Sequence, residues 1–296
     1  SIAALEAGKH VLCEKPLANT VAEAEAMAAA AARAQARGIR SMVGFNYRRV
    51  PALVLARELI ASGRVGEIRH VRASYLQDWL ADPAFPLTWR LQKEHAGSGA
   101  LGDLGAHVVD LAQYLTGELI SGVSGVAATF VPERPLPGGA RSETTRGAMG
   151  LVTVDDAVAF TARLESGALA TVEATRFASG RKNALRIEVY GARGSLAFDL
   201  ERLNELEFCD HTDDAATAGF RRILVTEPGH PYLSAWWPPG HVLGWEHTFT
   251  HQVRDLVTAI SQGTDPEPSF ADGLQVQHVL AAVSASAAAG SRWTPV

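Results

Sequence analysis

Residues 9–44 constrain the fold more than any other stretch, because they read as strand, helix and strand within the span of one crossover. Residues 9–13 (KHVLC) form a short strand, 20–37 an alanine-rich helix closed by Gly38, and 39–44 (IRSMVG) a second strand. A strand, helix and strand in this order make a βαβ unit, in which the two strands run parallel and the connection is right-handed. Open α/β sheets place ligands beyond the carboxyl ends of such strands. The first strand ends in Glu14-Lys15-Pro16, so a lysine stands at that edge. Read alone, a Glu-Lys-Pro is more simply two solvated charges and a strand stop. Ahead of the unit, residues 1–8 (SIAALEAG) read as the tail of a helix, and the chain is expected to begin within a domain.

The pattern changes after Tyr47. A helix over 51–62 opens a second domain, and from Ile68 onward strands dominate, at 68–77, 122–130, 156–164, 168–177, 184–191, 194–199 and 203–209. Alternation within several of them, as in Thr171, Glu173 and Thr175, predicts a mainly antiparallel sheet with one covered face. Residues 134–150 and 211–220 are rich in turn formers and read as loops, and helices over 245–262 and 272–289 close the chain. The fold class expected is α/β plus α+β: the C-terminal remainder of a Rossmann domain over 1–46, then an α+β domain with an open-faced sheet over 47–296.

Residues 97–114 (GSGALGDLGAHVVDLAQY) carry the most chemistry. In a helix, residues four apart share a face, so Asp103 and His107 present a carboxylate and an imidazole side by side, a pairing suited to proton transfer. Val108, Val109, Leu111, Ala112 and Leu115 supply the surface that docks the helix. Gly97, Gly99 and Gly102 match the spacing of a dinucleotide fingerprint, but the polar segment before them (LQKEHA) is no strand. Close packing at a helix start is the better account of these glycines.

Charge and composition remove several classes. The net charge of −5 provides no basic face for nucleic acid. Cys13 and Cys209 make no disulfide framework, which fits a reducing cytoplasm, and no apolar run approaches the ~20 residues of a membrane span. His247 and His251 are spaced as paired zinc ligands can be, with Glu246 beside them, but the spacing is not His-Glu-x-x-His, and no metal is expected.

Lys15 within Glu14-Lys15-Pro16, followed downstream by GSGALGDLGAH with Asp103 and His107, resembles the Gfo/Idh/MocA oxidoreductases, the relatives of glucose-fructose oxidoreductase and inositol dehydrogenase. The resemblance covers essentially the whole chain. It implies a Rossmann domain binding NAD or NADP, a second domain whose open sheet buries itself in a homo-dimer or homo-tetramer, and hydride transfer from a sugar or polyol. It further implies that Lys15, Asp103 and His107 are the catalytic set. Glu14, Lys15 and Pro16 would meet the cofactor, with Trp89-Arg90 as the pair that reaches it in some relatives. The glycine-rich first turn of a Rossmann domain is not found in the sequence, so the main cofactor-binding segment is expected to precede Ser1, and the chain is expected to be truncated and, as such, inactive.

Oxidising an alcohol requires removing the hydroxyl proton as hydride leaves, and a histidine with pKa near ~6.5 suits that task. His107 is the expected base, Lys15 the cation that stabilises an alkoxide, and Asp103 a substrate or imidazole partner. A small-molecule sugar, anhydrosugar or cyclic polyol is the expected substrate, because Trp79, Trp89, Trp236, Trp237 and Trp245 fall in two clusters with polar neighbours that include His241. Tyr47, Trp79, Asp103, His107 and His241 are the expected substrate contacts, Trp79 ahead of Trp237. A noncatalytic sugar-binding or assembly module is the alternative.

Overall fold

The computed structural model describes residues 1–137 and 148–296. The N-terminal unit runs α1 (Ile2–Glu6), β1 (Val11–Cys13), α2 (Val21–Gln35) and β2 (Ser41–Val43). The two strands pair in parallel, Val11 opposite Ser41 and Cys13 opposite Val43, as the crossover requires. Helix α2 starts where its sequence dictates: the Thr20 hydroxyl accepts the Glu23 N–H at 3.2 Å and the Glu23 carboxylate accepts the Thr20 N–H at 3.0 Å. Its buried face is all alanine.

The larger unit begins with α3 (Pro51–Ala61) and β3 (Ile68–Leu76), then a single turn α4 (Lys93–Ala96) and a π-helical turn, Leu101–Gly105, that continues into α5 (Ala106–Thr116). Strand β4 (Ile120–Ala128) is followed by β5 (Glu133–Pro135), β6 (Met149–Leu151), β7 (Ala157–Leu164), β8 (Leu169–Thr175), β9 (Ala184–Gly191), β10 (Gly194–Asp199), β11 (Glu205–Asp210) and β12 (Arg221–Leu224). Helices α6 (His247–Gln262) and α7 (Phe270–Ala288) and the edge strand β13 (Thr294–Pro295) complete the chain.

One nine-stranded sheet, ordered β12-β11-β10-β9-β3-β8-β7-β4-β13, organises this unit. Its pairs are antiparallel except β3 with β8, so the expected mainly antiparallel sheet is what forms. Along β7, Val158, Phe160, Ala162 and Leu164 are buried while Ala159, Thr161 and Arg163 are exposed, the signature of a sheet covered on one face. Helices α3, α5 and α7 supply that cover, and α7 also packs on α2 and β2, which joins the two units.

Three expectations change. The proposed loop over 134–150 is paired at its ends, Arg134 opposite Gly150, while residues 138–147 lie outside the described part. The cause is Arg134, fully buried, whose guanidinium donates to the carbonyls of Leu80 at 2.7 Å and Asp82 at 2.8 Å and pins the β5–β6 ladder. The short strands β12 and β13 are edge additions too brief to show a period. The expected helix that carries Asp103 and His107 becomes regular only at Ala106, because a π turn holds Asp103 ahead of it.

Candidate active site

The glycine run is shaped by a carboxylate of the chain itself. The Asp155 side chain accepts the N–H groups of Gly99 and Leu101, both at 2.7 Å, and its backbone oxygen accepts the Ala100 N–H at 3.0 Å. A Cβ at Gly99 would overlap that oxygen and stand 2.6 Å from the Arg176 guanidinium, and one at Gly102 would overlap the Ser98 hydroxyl. The glycines therefore serve close packing at the helix start, and their amides are not available to a phosphate.

From this start the π turn places Asp103 and α5 places His107. Lys15, at the end of β1, reaches across to them: its ammonium donates to the Asp103 backbone oxygen at 2.6 Å and lies 3.3 Å from the Asp103 carboxylate. His107 is only 7% exposed. It packs against Tyr47 with ring centroids 4.6 Å apart, against Tyr75 at 5.9 Å and against Phe45 at 6.1 Å. Burial, and then the Lys15 charge, push its pKa well below the ordinary 6.5, so the imidazole is neutral at neutral pH. Its Nδ1 is enclosed with no hydrogen-bond partner among the described residues.

A cavity of about 520 Å³ brings the pieces together, lined by Glu14, Lys15, Gly44, Asn46, Tyr47, Tyr75, Gln77, Trp79, His107, Lys182, Asn183, Trp245 and Phe249. A larger hollow of about 720 Å³ and a smaller one of about 460 Å³ lie on the open face of the sheet, away from these side chains. Inside the cavity the polar groups have fixed directions. Tyr75 donates to the Asn183 side-chain oxygen at 2.6 Å, and Gln77 donates to the same oxygen at 2.8 Å. With the Tyr75 proton committed there, the 2.7 Å contact between the two tyrosine hydroxyls has Tyr47 as donor, and Trp245 donates to Tyr47 at 3.4 Å. Burial and the neighbouring Tyr47 raise the Tyr75 pKa, so it remains a phenol.

Of the residues singled out in the sequence, Glu14, Lys15, Tyr47, Trp79, His107 and Trp245 line this cavity. Asp103 is not in this lining and meets the cavity through Lys15. Pro16, Trp89, Arg90 and His241 are not in its lining. Trp89 is 54% exposed, with the Arg90 guanidinium 4.5 Å over its ring. His241 is exposed and bonded through Nδ1 to the Pro238 carbonyl at 2.8 Å, apart from the other expected substrate contacts. Trp79 lines the cavity and Trp237 does not. The histidine pair on α6 is otherwise engaged: His251 accepts from Trp236 at 2.8 Å and its Nδ1 faces the Arg49 carbonyl at 3.1 Å, while the His247 Nδ1 accepts the Gly244 N–H at 3.1 Å. Tyr75, Asn183 and the helix-start role of Asp155 were not foreseen. The one local signal for Tyr75 is its position on the inward face of β3, in register with Val71 and Ala73.

A parallel βαβ unit that hands a lysine to a cavity, walled on its other side by a helix-backed open sheet, defines a two-domain α/β protein with a dinucleotide-type unit in front. Residues 1–44 match the model of the oxidoreductase family, NAD-binding Rossmann fold, and residues 53–197 match that of the GFO/IDH/MocA C-terminal domain. The chain is 46% identical over 302 residues to levoglucosan dehydrogenase of Pseudarthrobacter phenanthrenivorans, covering 100% of this chain and 76% of that protein. A crystal structure of an oxidoreductase domain protein from Kribbella flavida superposes with a TM-score of 0.97 at 67% identity, over 100% of this chain and 76% of that one. Levoglucosan dehydrogenase in complex with NADH and levoglucosan superposes with a TM-score of 0.91 at 46% identity, with the same shares covered. The chain belongs to the Gfo/Idh/MocA family of oxidoreductases. The alignments run through all of its residues and span 76% of the length of these relatives.

Proposed function

We propose that the protein oxidises a hydroxyl of a cyclic sugar, anhydrosugar or cyclic polyol, with NAD or NADP as hydride acceptor. The observation that carries this reading is the convergence of Lys15 and His107, from two different units, on one cavity walled by tyrosine and tryptophan rings. The likeness to levoglucosan dehydrogenase supports a ring-shaped sugar in particular. Such a ring has C–H faces and a hydroxyl rim, and the cavity offers Trp79, Trp245 and Tyr47 for the former and Lys15, Gln77 and Asn183 for the latter.

The residues at the strand ends fit a nicotinamide cofactor. Gly44 presents bare backbone to the cavity, where an added Cβ would press on the Cys13 oxygen at 3.3 Å and the Glu14 carboxylate at 3.4 Å. Glu14, Lys15 and Pro16 would hold the cofactor there, with Trp89 and Arg90 reaching it from the surface. When bound, it supplies the carbon that accepts hydride. The protein's own groups handle the proton. His107 is held neutral by burial and is therefore free to accept one. With Nδ1 enclosed, that proton goes to Nε2. The Lys15 ammonium stabilises the developing alkoxide, and Asp103 orients the ammonium through the contacts already described.

His107→Ala tests the assignment by steady-state kinetics: turnover falls by ~100- to 10,000-fold, the range of a general base, with cofactor affinity little changed. Near-normal turnover would remove His107 as the base. Cofactor or sugar binding without turnover by the unaltered protein would favour the noncatalytic alternative. The same reading divides the chain at about residue 46, as the two family-model matches suggest. It also pairs copies of the chain through the open sheet face, where Arg72, Thr161, Glu173 and Arg186 line a hollow of about 720 Å³. Cys13 and Cys209 are both free thiols, which supports a reducing, cytoplasmic setting.

A further inference from the structure

We propose that Asp155 is a positioning residue for the catalytic pair, a role that rests on the function proposed above. It lies in the connection between β6 and β7, more than fifty residues beyond the glycines it binds. One side chain and one carbonyl of this residue take the N–H groups of three consecutive residues, Gly99, Ala100 and Leu101. These are the groups at the start of a helix that no intrahelical carbonyl can satisfy. A carboxylate there also faces the positive end of the helix dipole. Asp103 donates its own N–H to the Gly99 carbonyl at 3.0 Å, so the residue that meets Lys15 hangs directly from a residue that Asp155 holds. His107 follows one turn later. Asp155 is fixed in turn by Arg176, almost fully buried, which donates to its backbone oxygen at 2.9 Å and stands 5.5 Å over the ring of Trp79 in the cavity wall. The strand connection thus sets where Asp103 and His107 stand relative to Lys15, and the absence of a side chain at Gly99 is what permits the approach.

The neighbouring Asp156 provides the control. It is fully buried and also accepts backbone N–H groups, from Phe130 at 2.7 Å and Val131 at 3.2 Å, but these belong to the β4–β5 connection and not to the helix start. Asp155→Asn and Asp156→Asn make the same chemical change one residue apart. The expected result is a kcat lowered by about 10- to 100-fold in Asp155→Asn, the scale of a misplaced catalytic group, with KM for sugar and cofactor within about twofold. Asp156→Asn should lower the melting temperature and leave kcat in place. An unchanged kcat in Asp155→Asn, or parallel losses in both variants, would overturn the proposal. If Asp155→Asn does not fold, Asp155→Glu keeps both acceptors one methylene further out, and wild-type kcat in that variant would equally overturn it. Backbone hydrogen exchange over residues 99–107 gives a reading independent of turnover: it must rise in Asp155→Asn and not in Asp156→Asn. If the unaltered protein oxidises no sugar, the proposed function has failed, and the exchange measurement alone decides the role of Asp155.

Discussion

Acidification should cost this protein stability through His107, and replacing that residue by glutamine should remove the cost. The ring is 7% exposed with Nδ1 enclosed and unpartnered, and burial followed by the Lys15 charge depresses its pKa well below 6.5. In the unfolded chain the same histidine takes up a proton near pH ~6.5. Below that pH the unfolded state therefore binds more protons than the folded state, and stability rises with pH. The stability is complete above the unfolded value and is lost as pH falls from there toward the folded one. One proton in that window is worth about 1.36 kcal/mol per pH unit, so acidification to about pH 5 removes about 2 kcal/mol. His251 is also pushed down by burial and adds to the slope, but it does so in both proteins. Urea unfolding of wild type and His107→Gln at about pH 8 and about pH 5 isolates the difference, which should be about 2 kcal/mol. Equal losses in the two proteins, within about 0.5 kcal/mol, would refute the claim that His107 is held neutral by burial.

Lys15→Met should lower kcat by about 100- to 1,000-fold, the cost of losing one donor to a developing oxyanion, with cofactor affinity measured by fluorescence titration little changed. Arg48 and Asp110 form a buried bidentate pair with contacts of 2.6 and 3.0 Å, joining the residues after β2 to α5. Asp110→Ala leaves the guanidinium only the longer contact to Asp272 at 3.4 Å and should cost about 3 kcal/mol in denaturant unfolding, whereas replacing both Arg48 and Asp110 by apolar residues should cost much less. Trp79→Ala should raise KM for a ring sugar by about 10-fold through lost stacking while leaving KM for the cofactor in place, as steady-state kinetics will show.

Features written in short sequence intervals were legible and those made by distant contacts were not. The βαβ unit follows from a local apolar period and from Thr20 and Glu23 three residues apart, and the open-faced sheet follows from the alternation along β7. Lys15 and His107 were found because each sits in a short motif, and the cavity contains both. The π turn was hidden because Gly102 and Gly105 carry no side chain to reveal a period. Asp155, Asn183 and Arg134 act through hydrogen bonds to partners some 50 to 110 residues away, such as the Tyr75–Asn183 contact, and such bonds leave no local pattern. His241 was grouped with the tryptophans by composition alone, and its ring turns back on its own loop at Pro238, a contact that composition does not show.

Oxidation of cyclic sugars by the purified protein with each nicotinamide cofactor tests the central claim most directly. Levoglucosan, glucose and the inositols, followed by nicotinamide absorbance against linear alcohols and amino acids, form the panel. The account predicts cofactor reduction with at least one ring-shaped polyol, lost in His107→Ala. Reduction confined to linear alcohols or amino acids, or reduction by cyclic sugars that survives His107→Ala, would contradict it.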